Sequence, residues 1–193
     1  KANTMPDYPK LRHFTSDKTW EVNPMLKEYK NRKKKLNFVV DRIIGLKDAL
    51  KCKGAIPQKT ITETFLLATW NLRELDDNSK KQGPRLEESF YYIAEIISAF
   101  DLVALQEIRE DLSPLKKLKG ILGPQWDYIV TDVTAGRSGN DERIAFMFDT
   151  SKVRFGNVAG EIVLPDKSKP VKQFARSPFM VTFQSGWLRL NLC

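Results

Sequence analysis

Phe65-Leu66-Leu67-Ala68-Thr69-Trp70-Asn71-Leu72-Arg73 and Leu102-Val103-Ala104-Leu105-Gln106-Glu107-Ile108-Arg109 are the two stretches that decide the fold. Each begins as an apolar run of strand length and passes directly into polar residues, which is how a buried strand emerges at a sheet end. Between them, after a polar loop, Arg85 to Phe100 reads as a helix with Leu86, Phe90, Ile93, Ala94 and Ile97 on one stripe. Strand, helix and strand in that order return the chain to one sheet and can set Asn71 beside Glu107 at the same end of it. A carboxylate with an amide oxygen suits a hard cation such as Mg²⁺, which keeps several waters and takes few protein ligands. Chemistry alone favours the plainer reading, that polar residues just past a strand are loop starts.

Upstream, residues 1 to about 33 are polar and proline-punctuated and read as an arm. From Lys34 to Lys51 the apolar residues Leu36, Val39, Val40, Ile43, Ile44 and Leu50 fall near one helix face. Gly54 and Pro57 end that helix. It reads as a packing helix, the alternative being a nucleic-acid or membrane contact through Arg32 to Lys35. Downstream, Ser113-Pro114 has the form of an N-cap followed by proline at the first helical position, with Leu115 and Leu118 turned inward. Beyond Gly123-Pro124 the pattern is β, with strands expected at Tyr128 to Val133, Arg143 to Phe148, Val153 to Phe155 and Glu161 to Leu164. A hairpin of Phe179 to Gln184 and Trp187 to Leu192 follows, turning at Ser185-Gly186. The division expected is an extension over 1–60, a polar arm and an amphipathic helix, followed by a domain over 61–193.

With 41% hydrophobic and 29% charged residues, the 193-residue chain can bury a sizeable core and is not a disordered tail. Its formal charge of +8 suits polyanionic partners, nucleic acid or an anionic membrane surface, although much of the excess lies near the N-terminus. Cys52 and Cys193 make no disulfide framework, so a reducing compartment, the cytoplasm, is expected. No apolar run approaches the roughly 20 residues of a transmembrane helix. The last strand stops at Cys193 without a turn or cap, so truncation of a longer domain is expected. Oligomeric state is not legible.

Taken in order, "ATWNLR" (68–73), "DLVALQEIRE" (101–110), "GNDERIAFMFDT" (139–150) and "FARSPFMVTF" (174–183) resemble the DNase I-like endonuclease/exonuclease/phosphatase superfamily. The resemblance covers Phe65 to Cys193, the N-terminal half of such a domain; residues 1–60 have no counterpart in its core. It implies an α/β fold, a four-layer αββα sandwich of which this chain supplies roughly the first half, with an N-terminal helical extension. It also implies Mg²⁺-dependent phosphodiester hydrolysis in the full-length parent, most simply by a nuclease, with Mn²⁺ as a possible substitute and DNA more favoured than RNA.

Carried over by motif, Glu107 matches the Mg²⁺-ligating glutamate, and Asn71 the strand-end asparagine that helps to order the metal and nucleophile region. Arg109 sits where deoxyribonuclease-like members contact the minor groove, or else is a surface arginine paired to Glu110 or Asp111. Arg176 matches an arginine near the substrate phosphate, or else is a loop arginine. Asn140 occupies the place of a phosphate-contacting tyrosine, a departure from the deoxyribonuclease pattern. Arg143 is structural, opening a strand. The histidine motifs of the family, of the type G-D-F-N and S-D-H, are absent, and the sole histidine, His13, matches neither. The chain alone is therefore expected to be inactive. The alternatives are a phosphomonoesterase or phospholipid phosphodiesterase on the same framework, or a non-catalytic polyanion-binding module.

Overall fold

The computed structural model of the chain describes residues 32–52, 54–75, 85–132, 142–164, 174 and 177–193. Helix α1 spans Arg32–Lys51, strand β1 Leu67–Asn71, helix α2 Glu87–Ser98, strand β2 Leu102–Ile108 and helix α3 Ser113–Leu122. Five strands follow: β3 (Trp126–Val130), β4 (Arg143–Asp149), β5 (Arg154–Glu161), β6 (Phe179–Ser185) and β7 (Leu188–Leu192). As the strand–helix–strand pattern requires, β1 pairs with β2 in parallel, from Leu67 opposite Leu102 to Asn71 opposite Gln106. The first sheet has the order β1-β2-β4-β3, with β4 antiparallel to both its neighbours; the second is the antiparallel meander β5-β6-β7.

The period of two along a strand divides the first sheet between two cores. Val103 and Leu105 of β2, with Ala145 and Met147 of β4, enter a core roofed by the three helices. Phe90, Ile93, Ala94 and Ile97 of α2 supply its largest share, joined by Leu115 and Leu118 of α3 and by Val39 and Ile43 of α1. Leu102, Phe146 and Phe148 point the other way and meet Val181 and Phe183 of β6. There the Phe148 and Phe183 rings are tilted with centroids 5.2 Å apart, a favourable offset geometry. Helices, sheet and sheet thus form three successive layers of a mixed α/β fold, with the described helices all on one side.

Several local expectations shift. Ser113 does not cap α3: it is the first helical residue, the N-cap is Leu112 without a side-chain cap bond, and Asp111 Oδ1 accepts the Ser113 amide at 2.9 Å and the Ser113 hydroxyl at 2.7 Å. Those two bonds, the hydroxyl's first, hold the Asp111 carboxyl below its ordinary range. Ile44, expected on the packed face of α1, is 51% exposed; that helix meets the core through the buried Val39 and Ile43, with Leu36 and Phe38 packed at its edge. Val153 to Phe155 and Glu161 to Leu164 are not two strands. Gly156-Asn157 is an irregularity inside the single strand β5, with Asn157 at φ 58°. Gly156 lies so close to Thr182 that an added Cβ would come within 2.6 Å of its methyl, so a side chain at 156 would force one of the two strands to shift. In the β6–β7 hairpin Ser185 pairs with Leu188, which makes Gly186-Trp187 the loop and leaves Trp187 93% exposed. Positive φ (56°) at Gly186 and not at Trp187 is the signature of a type II′ turn.

A buried charge cluster closes the sheet end where β1 and β2 begin. Asp101, fully buried, accepts the Leu66 amide and the Lys152 ammonium, both at 2.7 Å. Lys152 also donates to the carbonyls of Thr60 and Thr64, and Lys59 reaches Asp149 at 2.9 Å and the Phe100 carbonyl at 2.7 Å. The segment 59–66 is thereby fastened across the ends of β2 and β4. Removing one partner strands a buried charge, so Asp101→Ala should lower the unfolding free energy by about 3–5 kcal/mol. Urea titration checks this, and adding Lys152→Met should recover part of the loss.

Where α1 meets α2, Lys47 and Glu95 lie 3.9 Å apart. At that distance the ammonium does not offset desolvation, and burial pushes the Glu95 carboxyl up from 4.5 to about 7. Burial, followed by the charge of Lys51, lowers Lys47. An acid whose folded value is raised binds its proton more tightly when folded, so its effect on stability falls as pH rises. The expected window is pH 4.5 to about 7, over which Glu95 should cost up to about 3 kcal/mol. Glu95→Gln should flatten that part of the stability–pH curve measured by denaturant unfolding.

Candidate functional site

Asn71 ends β1 and Glu107 stands near the end of β2, one register position beyond Asn71's partner Gln106. Strict alternation would send Glu107 into the helix-covered core behind Leu105, where an ionised carboxylate is costly. A bulge prevents this. Leu105 pairs with Ala145 and Ile108 with Arg143, so β2 carries one residue more than β4 between those pairs. Leu105 and Ile108, 0% and 1% exposed, both enter the core, and Glu107 between them stays partly exposed. Its backbone adopts φ 60°, a left-handed conformation that costs a non-glycine residue about 1–3 kcal/mol.

The Asn71 amide faces this carboxylate: its Nδ2 donates to Glu107 Oε1 in a short hydrogen bond. Its Oδ1 accepts the Arg73 amide at 2.8 Å. One residue back, Gln106 Nε2 donates to Thr69 Oγ1 at 3.3 Å. Residues 72–75 continue alongside β2, the Leu72 amide donating to the Gln106 carbonyl and the Leu75 amide to the Glu107 carbonyl, both at 3.1 Å. Leu72 and Leu75, each 2% exposed, anchor the loop, while Arg73 and Glu74 between them sit at φ 50° and 52°. Arg85 Nη2 donates to the Leu72 carbonyl and lies 3.5 Å from that of Arg73. Three left-handed non-glycine residues within this small volume are the kind of strain that surrounding contacts must hold in place.

Of the residues expected at a site, the fold thus brings Asn71 and Glu107 together. Arg109 follows β2 but is only 9% exposed, so the surface arginine is not what forms. Arg143 opens β4 and donates to the Thr131 carbonyl at 3.0 Å, a structural role. Arg176, Asn140 and His13 lie outside the described residues. Arg85 and the strained pair Arg73 and Glu74 were not expected; nothing in their residue types betrays them, since glycine would be the usual signal of a left-handed backbone. Among the described residues no three His, Cys, Asp or Glu side chains gather round one point. One carboxylate oriented by an amide nevertheless fits a cation that keeps most of its water.

No protein-family model and no curated protein matches the chain. Among solved structures it is similar to an endonuclease/exonuclease/phosphatase from Bacteroides vulgatus, at 16% identity and TM-score 0.44 over 64% of this chain and 48% of that one. It is also similar to a humanized D. rerio TDP2 carrying 14 mutations, at 15% identity and TM-score 0.42 over 66% and 44%. A third is the human nocturnin catalytic domain with bound sulfate anion, at 13% identity and TM-score 0.43 over 66% and 48%. The chain therefore spans about half the length of the structures it matches or slightly less. These likenesses concern the fold; what the site can do follows from its own geometry.

If Glu107 is held in a strained backbone, the ordinary order of strand preference should reverse at that position. Glycine in a strand is usually less stable than alanine by about 0.5–1 kcal/mol. Here Glu107→Gly should instead be more stable than Glu107→Ala, by about 1 kcal/mol. Paired thermal or urea denaturation of the two variants reads the difference directly.

Proposed function

We propose that the whole protein hydrolyses phosphodiester bonds with Mg²⁺, acting on nucleic acid and on DNA rather than RNA, with Mn²⁺ able to substitute. The observation that carries this reading is the carboxylate of Glu107 held by the Asn71 amide where two parallel strands end. Such sheet ends, where backbone donors and loop residues converge, are where open α/β sheets bind ligands. In this reading Glu107 supplies one bond to the cation and Asn71 keeps that carboxylate turned outward. The bound cation supplies positive charge against the phosphate and its leaving oxygen.

Arg176 would contribute a guanidinium group toward the substrate phosphate, for which its planar fork is suited, whereas Arg109, only 9% exposed, is too buried to grip a nucleic-acid strand. Asn140, standing where a phosphate-contacting tyrosine is expected, would offer only its amide to the same substrate. A net charge of +8 favours a polyanion and makes its binding salt-dependent. With His13 as the only histidine, the chain lacks an imidazole pair to move protons, so these 193 residues by themselves bind without turnover. No helix among the described residues is long and apolar enough to cross a membrane.

Two assays test the proposal. Titration of the chain with Mn²⁺, followed by calorimetry, should show binding that Glu107→Ala abolishes. In the whole protein, Mg²⁺-dependent nicking of plasmid DNA should fall at least about 100-fold in the same variant. DNA binding indifferent to both Mg²⁺ and Glu107→Ala would overturn the enzyme reading in favour of a polyanion-binding module. Hydrolysis of inositol phosphates with plasmid left intact would reassign the substrate and keep the metal role.

A further inference from the structure

We propose that Arg85 is the positioning residue of this site, holding Glu107 in place through the loop 72–75 and Asn71 without touching Glu107 itself. The chain of contacts is continuous. The Arg85 guanidinium gathers the Leu72 and Arg73 carbonyls; the Arg73 amide holds Asn71 Oδ1; Asn71 Nδ2 holds Glu107 Oε1. Its functional weight rests on Glu107 being the cation ligand, but its structural content does not.

The location of Arg85 supports a dedicated role. It stands two residues before α2 begins, next to a helix N-terminus whose first turn carries Glu87 and Glu88. Acids suit that end of a helix dipole and a cation opposes it, so helix formation does not explain an arginine there. The carbonyls of Leu72 and Arg73, at the start of two successive left-handed residues and both within reach of its guanidinium, do explain it. Both carbonyls are reached by Nη2, whose two N–H groups lie fixed in the guanidinium plane, whereas an ammonium is a point donor on a flexible stem. The backbone of Arg85 is steadied in turn by α2, whose Phe90 is completely buried. Helix α2 thus both roofs the core and carries the residue that braces the site.

The test uses the ¹⁵N-labelled 193-residue chain with Arg85→Lys and Arg85→Ala. Amide hydrogen exchange at Arg73 should become about tenfold faster or more in both variants, with the Asn71 side-chain NH₂ signals moving toward their free positions. Ladder amides of Phe146 and Met147 should stay protected, which separates loss of positioning from loss of fold. Unchanged Arg73 exchange and Asn71 signals in both variants would overturn the proposal. Should Arg85→Ala fail to fold, Arg85→Lys decides, together with the guanidinium protons of Arg85 in the unaltered chain. Exchange of those protons as fast as in the exposed Arg189 would also overturn it. Loosened Asn71 signals in a chain whose unaltered form binds no Mn²⁺ would support the positioning role while sinking the metal reading.

Discussion

The parallel pairing of β1 with β2 is the constraint on which the remainder of the structure depends. It makes β2 an interior strand, paired on one side with β1 and on the other with β4, and covered on both faces. A strand in that position must be apolar on alternate residues in both directions, and Leu102 to Leu105 meets that demand. The helices are held to one face by Val103 and Leu105, and the second sheet to the other by Leu102 and the β4 phenylalanines. The same pairing sets Asn71 opposite Gln106 and so brings it within reach of Glu107.

The two ends of this sheet are finished in different ways. Where β1 and β2 begin, Asp101, Lys152, Lys59 and Asp149 form a closed set of buried charges whose partners are protein groups. Where they end, a carboxylate is left partly exposed on a strained backbone, oriented by an amide and reached through a bulge. Charges paired within the protein at one end serve the fold, although Asp101 Oδ1 has only Lys59 at 3.6 Å and no hydrogen bond. Strain and a single oriented carboxylate at the other are stability forgone, which burial and pairing at that end do not account for.

The candidate site also shows why a strand-end motif needs a frame around it. The pairing sets Asn71 near Glu107, the bulge in β2 keeps that carboxylate out of the core, and Asn71 is oriented by Arg73 turning its amide back toward it. That turn requires two left-handed residues in succession, which the buried Leu72 and Leu75 on either side hold in place. Packing of two leucines is thus transmitted, through backbone geometry, to the direction of a carboxylate.

Read alone, the sequence determined the order of elements and the neighbourhood of the site. Apolar periodicity is a local property, so α1, α2, β1 and the closing hairpin were legible within a residue or two, while β2, read as ending at Leu105, runs on to Ile108. The meeting of Asn71 with Glu107 followed from strand–helix–strand order. Only the tertiary structure decided that β2 bulges at Glu107, that Arg109 is buried, that Gly156-Asn157 is an irregularity within one strand, and that Arg85 braces a loop across the gap in sequence. Each of these depends on what a distant segment packs against: β4 for the bulge, Thr182 for Gly156, the carbonyls of 72 and 73 for Arg85. Periodicity reports which face a residue occupies, but a backbone that departs from its period does so to suit a neighbour that the local sequence does not contain.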